Sequence, residues 1–185
     1  MRLSFFVRCL ITIALASFLA LPAKAADIKD PENTLLLDLK FGRVTIEMMP
    51  NVAPQHVKRI KDLVRQKFYD GHKFHRVIDG FMAQTGDPTG TGRGGSGKKL
   101  RAEFSNIPHT RGIVSMARAR NRNSADSQFF IVLEDSNHLD GKYTVWGKVL
   151  EGMEFVDMIR KGYGQGGTVR NPDIIVSLRV AADVQ

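Results

Sequence analysis

Phe74-His75-Arg76-Val77-Ile78-Asp79-Gly80-Phe81-Met82-Ala83-Gln84-Thr85-Gly86-Asp87 is the stretch that decides how this chain is read. It sets one arginine, Arg76, beside Phe81, Met82 and Gln84 in an extended segment that ends at glycines. An arginine side chain keeps its charge and holds its donors in a rigid fork. An apolar floor, one fixed cation and one amide suit a site that grips a peptide and polarises one of its bonds.

Outward from this segment the pattern is mostly β. Leu35, Leu37 and Leu39 alternate with other residues, and Phe41-Gly42-Arg43 turns the chain into Val44, Ile46 and Met48. Two period-two runs around a glycine predict a hairpin. Short strands are expected at 74–78, 113–117, 128–133 and 144–149, with a closing apolar strand over 173–180. Between Asn51 and Lys67, Val57, Ile60, Val64 and Phe68 recur at three-to-four spacing. Pro54 sits where that helix begins and Gly71 just past its end. A second helix fits Met153 to Lys161, with Val156 and Ile159 inward. Many short strands, two isolated helices and no regular alternation between them point to an antiparallel sheet or barrel.

The first 25 residues are a different polymer. Arg2 and Arg8 open the chain, Cys9 to Leu21 is almost wholly apolar, and Ala23-Lys24-Ala25 offers a small-x-small cleavage site. This is the layout of a secretory signal peptide, and its apolar run of about 13 residues falls short of the roughly 20 that span a bilayer. Cleavage after Ala25 is expected to leave a mature chain starting at Ala26, with 26–34 a polar lead-in and 35–185 one domain. Losing Arg2, Arg8 and Lys24 takes the 27 basic residues to 24 against 19 acidic, a net of +5. That is mildly basic and identifies no partner. Cys9 is the only cysteine, so no disulfide is expected in the exported part.

Several motifs suggest other chemistry and fail on context. Gly90-Thr91-Gly92-Arg93-Gly94-Gly95-Ser96-Gly97-Lys98-Lys99 approaches both a dinucleotide fingerprint and a P-loop. Either needs a strand before it and a helix opening after it; Gly86-Asp87-Pro88 precedes, no helical pattern follows, and Lys99 occupies the magnesium-binding Ser/Thr position. A flexible glycine loop beside the site is the better reading. Arg118, Arg120 and Arg122 form a basic run without interleaved aromatics, so no nucleic-acid partner is expected. The scattered histidines, with no HExxH pattern, predict no metal, and the serines lack a GxSxG setting.

Taken in order, Phe74 to Asp87, Ser127-Gln128-Phe129-Phe130-Ile131 and Leu139-Asp140-Gly141-Lys142 resemble the signature blocks of the cyclophilins, the peptidyl-prolyl cis-trans isomerases. The resemblance covers roughly Leu35 to Val180. It implies a mainly β fold, a closed eight-stranded antiparallel barrel capped by two α-helices, where periodicity alone does not give closure. It implies Arg76 as the catalytic residue and Phe81, Met82, Phe130 and Leu139 as the proline pocket. It implies Gln84 and Gln128 as amides on the pocket wall, and Ala117-Arg118-Ala119 as the edge that pairs with the peptide. His138 and Tyr143 complete the implied substrate contacts. No cofactor is implied.

Three positions depart from the best-known members of that family. His138 stands in place of a tryptophan important for cyclosporin, Arg118 in place of an asparagine, and Tyr143 in place of a histidine. The expected function is isomerisation of X-Pro bonds in proline-containing polypeptides. The enzyme is expected to act as a monomer in the periplasm or, alternatively, as a secreted protein, assisting the folding of exported proteins. A peptide-holding module of the same fold is the rival, and it has no use for a cation beneath the prolyl nitrogen.

Overall fold

A computed structural model describes residues 28–184; the leader, Cys9 and the cleavage site at Ala25 lie outside the described residues. The chain opens with a hairpin of β1 (Thr34–Leu39) and β2 (Gly42–Met48), in the register Leu35↔Ile46 and Leu37↔Val44. Leu35, Leu37, Leu39, Val44, Ile46 and Met48 all enter the core, so the period-two pattern identifies the buried face. Gly42 is required by packing: a Cβ there would come within 2.5 Å of the Phe155 ring. The stretch read as a loose lead-in is tied down. Asp30 caps a short turn at Pro31–Asn33, and Glu32 pairs with Lys61 and Arg65.

Helix α1 (Pro54–Arg65) buries Val57, Ile60, Leu63 and Val64. It is shorter than the expected 51–67 because Pro54 fixes its first turn and the chain leaves at Lys67, whose φ is +56°. Its N-cap is Ala53, which has no capping side chain. The Glu103 carboxylate instead accepts from the amides of Gln55 and His56, at 3.1 Å each. Helix α2 (Met153–Asp157) also stops short of the expected Lys161. The buried Asp173 carboxylate takes the Arg160 amide at 2.8 Å and draws the chain away from the helix axis.

The remaining strands are β3 (Arg76–Ile78), β4 (Met82–Thr85), β5 (Ile113–Met116), β6 (Phe129–Val132), β7 (Val145–Glu151) and β8 (Ser177–Val180). All pairings are antiparallel, in the order β3-β4-β6-β5-β7-β2-β1-β8. The expected closed barrel does not form: β3 and β8 are end strands that no ladder joins, so the sheet is an open half-barrel. The segment between α2 and β8 carries Gly162, Gly164, Gly166, Gly167 and Pro172, which do not hold a pleat. It lies along the gap on single bonds instead: Val77 N to Gly167 O at 2.8 Å, Val169 N to His75 O at 3.1 Å, and Phe74 N to Asp173 O at 2.9 Å.

The sheet separates two apolar clusters. Phe129 and Ile131 of β6 point into the main core with Trp146, Tyr69 and Phe74. Their neighbours Phe130 and Val132 point to the opposite face, into a smaller cluster with Met82, Ile113, Leu139 and Val145. That second face carries the site.

Candidate active site

Strand register brings the quoted segment together. β3 and β4 are joined through Asp79-Gly80-Phe81, with Gly80 at φ +65°, and this three-residue turn sets Arg76 opposite Gln84. Gln84 in turn lies opposite Phe130, and Phe130 opposite Ser115. Arg76, Gln84, Phe130 and Ser115 therefore form one lateral row on the same face of four strands.

The guanidinium of Arg76 is held from two sides. Its Nε donates to the Gly166 carbonyl and its Nη1 to Gln84 Oε1, each at 3.1 Å. Among the described residues no carboxylate pairs with it, and Nη2 has no partner. An arginine only donates, so Gln84 must present its oxygen and turn its NH2 away. That NH2 donates to Gln128 Oε1 at 2.9 Å, and Gln128 Nε2 to the Gly94 carbonyl at 2.8 Å. The orientation of both amides is thus set by Arg76.

Beside this relay lies a cleft of about 580 Å³. It is lined by Arg76, Phe81, Met82, Gln84, Ala117, Arg118, Phe130, His138, Leu139 and Tyr143. An adjoining cleft of about 440 Å³ shares Gln84, Ala117 and Arg118 with it and adds Ala119 and Gln128. Every residue singled out from the sequence borders one of the two. Two of the unusual positions meet: the Arg118 guanidinium lies over the Tyr143 ring, 4.6 Å from its centre, and donates to the Lys142 carbonyl. His138 packs against Phe81, ring centres 5.3 Å apart.

Sequence reasoning missed the support beneath the pocket. His109 is fully buried; its Nδ1–H donates to Asp140 Oδ1 and its Nε2 accepts from the Ser115 hydroxyl, both at 2.9 Å. The ring stacks near Phe130 and edge-on to Tyr143. Burial pushes the His109 pKa below the usual histidine value, against the opposing pull of Asp140. Spread over residues 109, 115 and 140, this triad has no local spacing by which it could be found.

The glycine loop is tied rather than flexible. Asp87 accepts from the amides of Thr89, Thr91 and Gly92 at 2.6–3.0 Å. Burial alone would raise its pKa, but the amides of Thr89, Gly94 and Gly92 and the Thr89 hydroxyl hold it down at about 2. Asp126 accepts in the same way from Ser96 and Gly97. The loop brings Gly90, Thr91 and Gly92 to the first cleft, where His75 and Thr168 also contribute. Among the described residues no three histidine, cysteine or carboxylate groups converge as a metal site would need.

Residues 34–180 match the family model described as Cyclophilin type peptidyl-prolyl cis-trans isomerase/CLD. A probable peptidyl-prolyl cis-trans isomerase of Brucella suis is 49% identical over 189 residues, covering 94% of this chain and 96% of that one. A peptidyl-prolyl cis-trans isomerase of Helicobacter pylori is 42% identical over 149 residues, covering 76% and 91%. Among solved structures, a cyclophilin from Hirschia baltica superposes with a TM-score of 0.75 at 31% identity, covering 84% of this chain and 76% of that one. A Cryptosporidium parvum cyclophilin type peptidyl-prolyl cis-trans isomerase, solved in the presence of the dipeptide Ala-Pro, gives a TM-score of 0.72 at 28% identity, covering 80% and 98%.

Proposed function

The chain belongs to the cyclophilin type peptidyl-prolyl cis-trans isomerases, and from that premise we propose that Arg76 is its catalytic residue and the two clefts its peptide channel. An X-Pro bond turns over tens of seconds because its barrier is about 20 kcal/mol. Rotation breaks amide conjugation and localises a lone pair on the prolyl nitrogen. A fixed donor aimed at that nitrogen binds the twisted state more tightly than either planar one. The observation that carries this reading is the Arg76 guanidinium, which borders the first cleft and is clamped at Nε and Nη1 while Nη2 has no partner among the described residues.

Arg76 does not suffice alone. Bringing the turn from tens of seconds to milliseconds takes about 10⁴-fold, or roughly 5.5 kcal/mol, and one preorganised donor supplies about 2.7–4 kcal/mol. The remainder is assigned to Phe81, Met82, Phe130 and Leu139, which immobilise the proline ring, and to the flanking chain held by Gln84, Gln128 and the 117–119 edge. His138 and Tyr143 close the rim. In steady state, Arg76→Ala is expected to lose about 10²–10³ in turnover; turnover within about twofold of the parent would remove Arg76 from the chemistry.

The composition of residues 1–25 supports export of this enzyme, to the periplasm of a bacterium, where as a monomer it would assist the folding of other exported proline-containing chains. Mass spectrometry of the protein from its native host tests this. A mature N-terminus at Ala26 in the exported fraction is expected, and intact Met1 in the cytosol would contradict it.

A further inference from the structure

The second cleft carries a charge pattern that isomerisation itself does not need. Arg93, Lys99 and Arg118 border it, and its one carboxylate, Asp126, is committed to the Ser96 and Gly97 amides and the Ser96 hydroxyl. Among the described residues none of the three cations has a carboxylate partner. Arg118 spends its donors on the carbonyls of Lys142, Ala119 and Arg120. Acids are not scarce elsewhere: Arg43, Arg111 and Arg179 each pair with an aspartate at 2.5–2.7 Å. Unneutralised cations around a concave surface concentrate positive potential where a ligand enters.

We propose that this cleft makes the enzyme select acidic segments, turning over prolines with an aspartate or glutamate within three residues in preference to those flanked by lysine or arginine. The inference rests on the isomerase reading of the first cleft. The two clefts share the wall formed by Gln84, Ala117 and Arg118. An extended chain advances about 3.3 Å per residue, so a proline seated in the first places a near neighbour in the second. Each solvent-exposed charge pair is worth roughly 1.4- to 5-fold, and three cations together set a preference of roughly tenfold at low salt.

The test is a protease-free NMR exchange assay on peptides with one proline. Glu, Ala or Lys is placed in turn at each of the three positions on either side. On the side that enters the second cleft, kcat/KM for the Glu peptide should exceed that for the Lys peptide by roughly tenfold at low salt. The gap should close to within about twofold at 1 M salt, where screening acts within about 3 Å. Arg93→Glu combined with Lys99→Glu should reverse the ratio, and Arg93→Gln or Lys99→Gln alone should shrink it. Because the ratio is taken within one protein, the folded fraction cancels. Lys148→Glu, on β7 outside both clefts, should leave it unchanged; a reversal there would assign the effect to overall charge and overturn the proposal. Equal rates for Glu and Lys peptides, with the Ala peptide turned over, would overturn the selectivity alone. Failure to turn over the Ala peptide would bring down the isomerase reading of the site and the selectivity with it.

Discussion

Gly167→Ala tests whether the glycine segment across the sheet gap is what holds Arg76 in place. Gly167 has φ +67°, and a Cβ added there would overlap Ile78 Cγ1 and lie 3.0 Å from the Val77 carbonyl oxygen. The Ile78 side chain can rotate, but the Val77 carbonyl is backbone and already accepts from the Gly162 amide at 2.8 Å. A left-handed conformation costs an ordinary residue about 1–2 kcal/mol, and a displaced backbone hydrogen bond about another 1 kcal/mol. The sum, about 2–3 kcal/mol, corresponds to a fall in Tm of roughly 4–12 °C for a domain of this size. The segment must lift from β3, carrying the Gly166 carbonyl off Arg76 Nε and leaving only the Gln84 bond. A hydrogen bond to a charged group is worth about 1.5–3 kcal/mol, so kcat should fall by roughly 10- to 10²-fold while KM changes little. Gly166→Ala is the control: its Cβ would meet nothing within 4 Å and its carbonyl is retained. Thermal unfolding and steady-state kinetics of both variants give the answer. Parental Tm and kcat in Gly167→Ala, or equal losses in both variants, would refute the reasoning.

Phe129→Ala should cost about 3–5 kcal/mol in urea unfolding, since the ring is fully buried edge-on to Tyr69 and Trp146; a loss under about 1 kcal/mol would contradict its place in the core. Stability should fall as pH drops through about 6.5, because burial holds His72, His75 and His109 below the usual histidine value while an unfolded histidine takes up a proton there. That contribution is fully present above pH 6.5, and a Tm that is flat or rising from pH 7.5 to 5 would count against it. Cyclosporin should inhibit weakly, because the imidazole of His138 has much less packing area than an indole, and His138→Trp should tighten inhibition; unchanged inhibition would remove that explanation.

The hairpin at Leu35 to Met48 was legible because one face is buried and the alternation follows it. That the candidate residues come together was legible for a related reason: Arg76 and Gln84 mirror each other across Asp79-Gly80-Phe81, so one hairpin carries cation, amide and apolar floor together. Strand β4 is not among the expected strands, since nothing in Met82–Thr85 alone separates it from the turn before it. Closure of the barrel, which only the resemblance implied, was a misreading: β8 at Ser177–Val180 pairs with β1, but the glycines and Pro172 before it keep residues 162–172 out of the ladders. Asp87 and Asp126 carry side chains whose acceptors organise a glycine loop, which sequence presents only as flexible. The His109–Ser115–Asp140 support depends on contacts across the fold, and no periodicity encodes them.

The role proposed for Arg76 is to stabilise the twisted amide more than it binds the peptide. NMR exchange on one prolyl peptide, with parent and Arg76→Ala at saturating enzyme, separates the on-enzyme cis–trans rate from the affinity of each isomer. The expected on-enzyme rate is lower by about 10²–10³, with Kd for both isomers changed by less than about fivefold. An unchanged on-enzyme rate with a large loss of affinity would contradict it and make Arg76 a binding residue only.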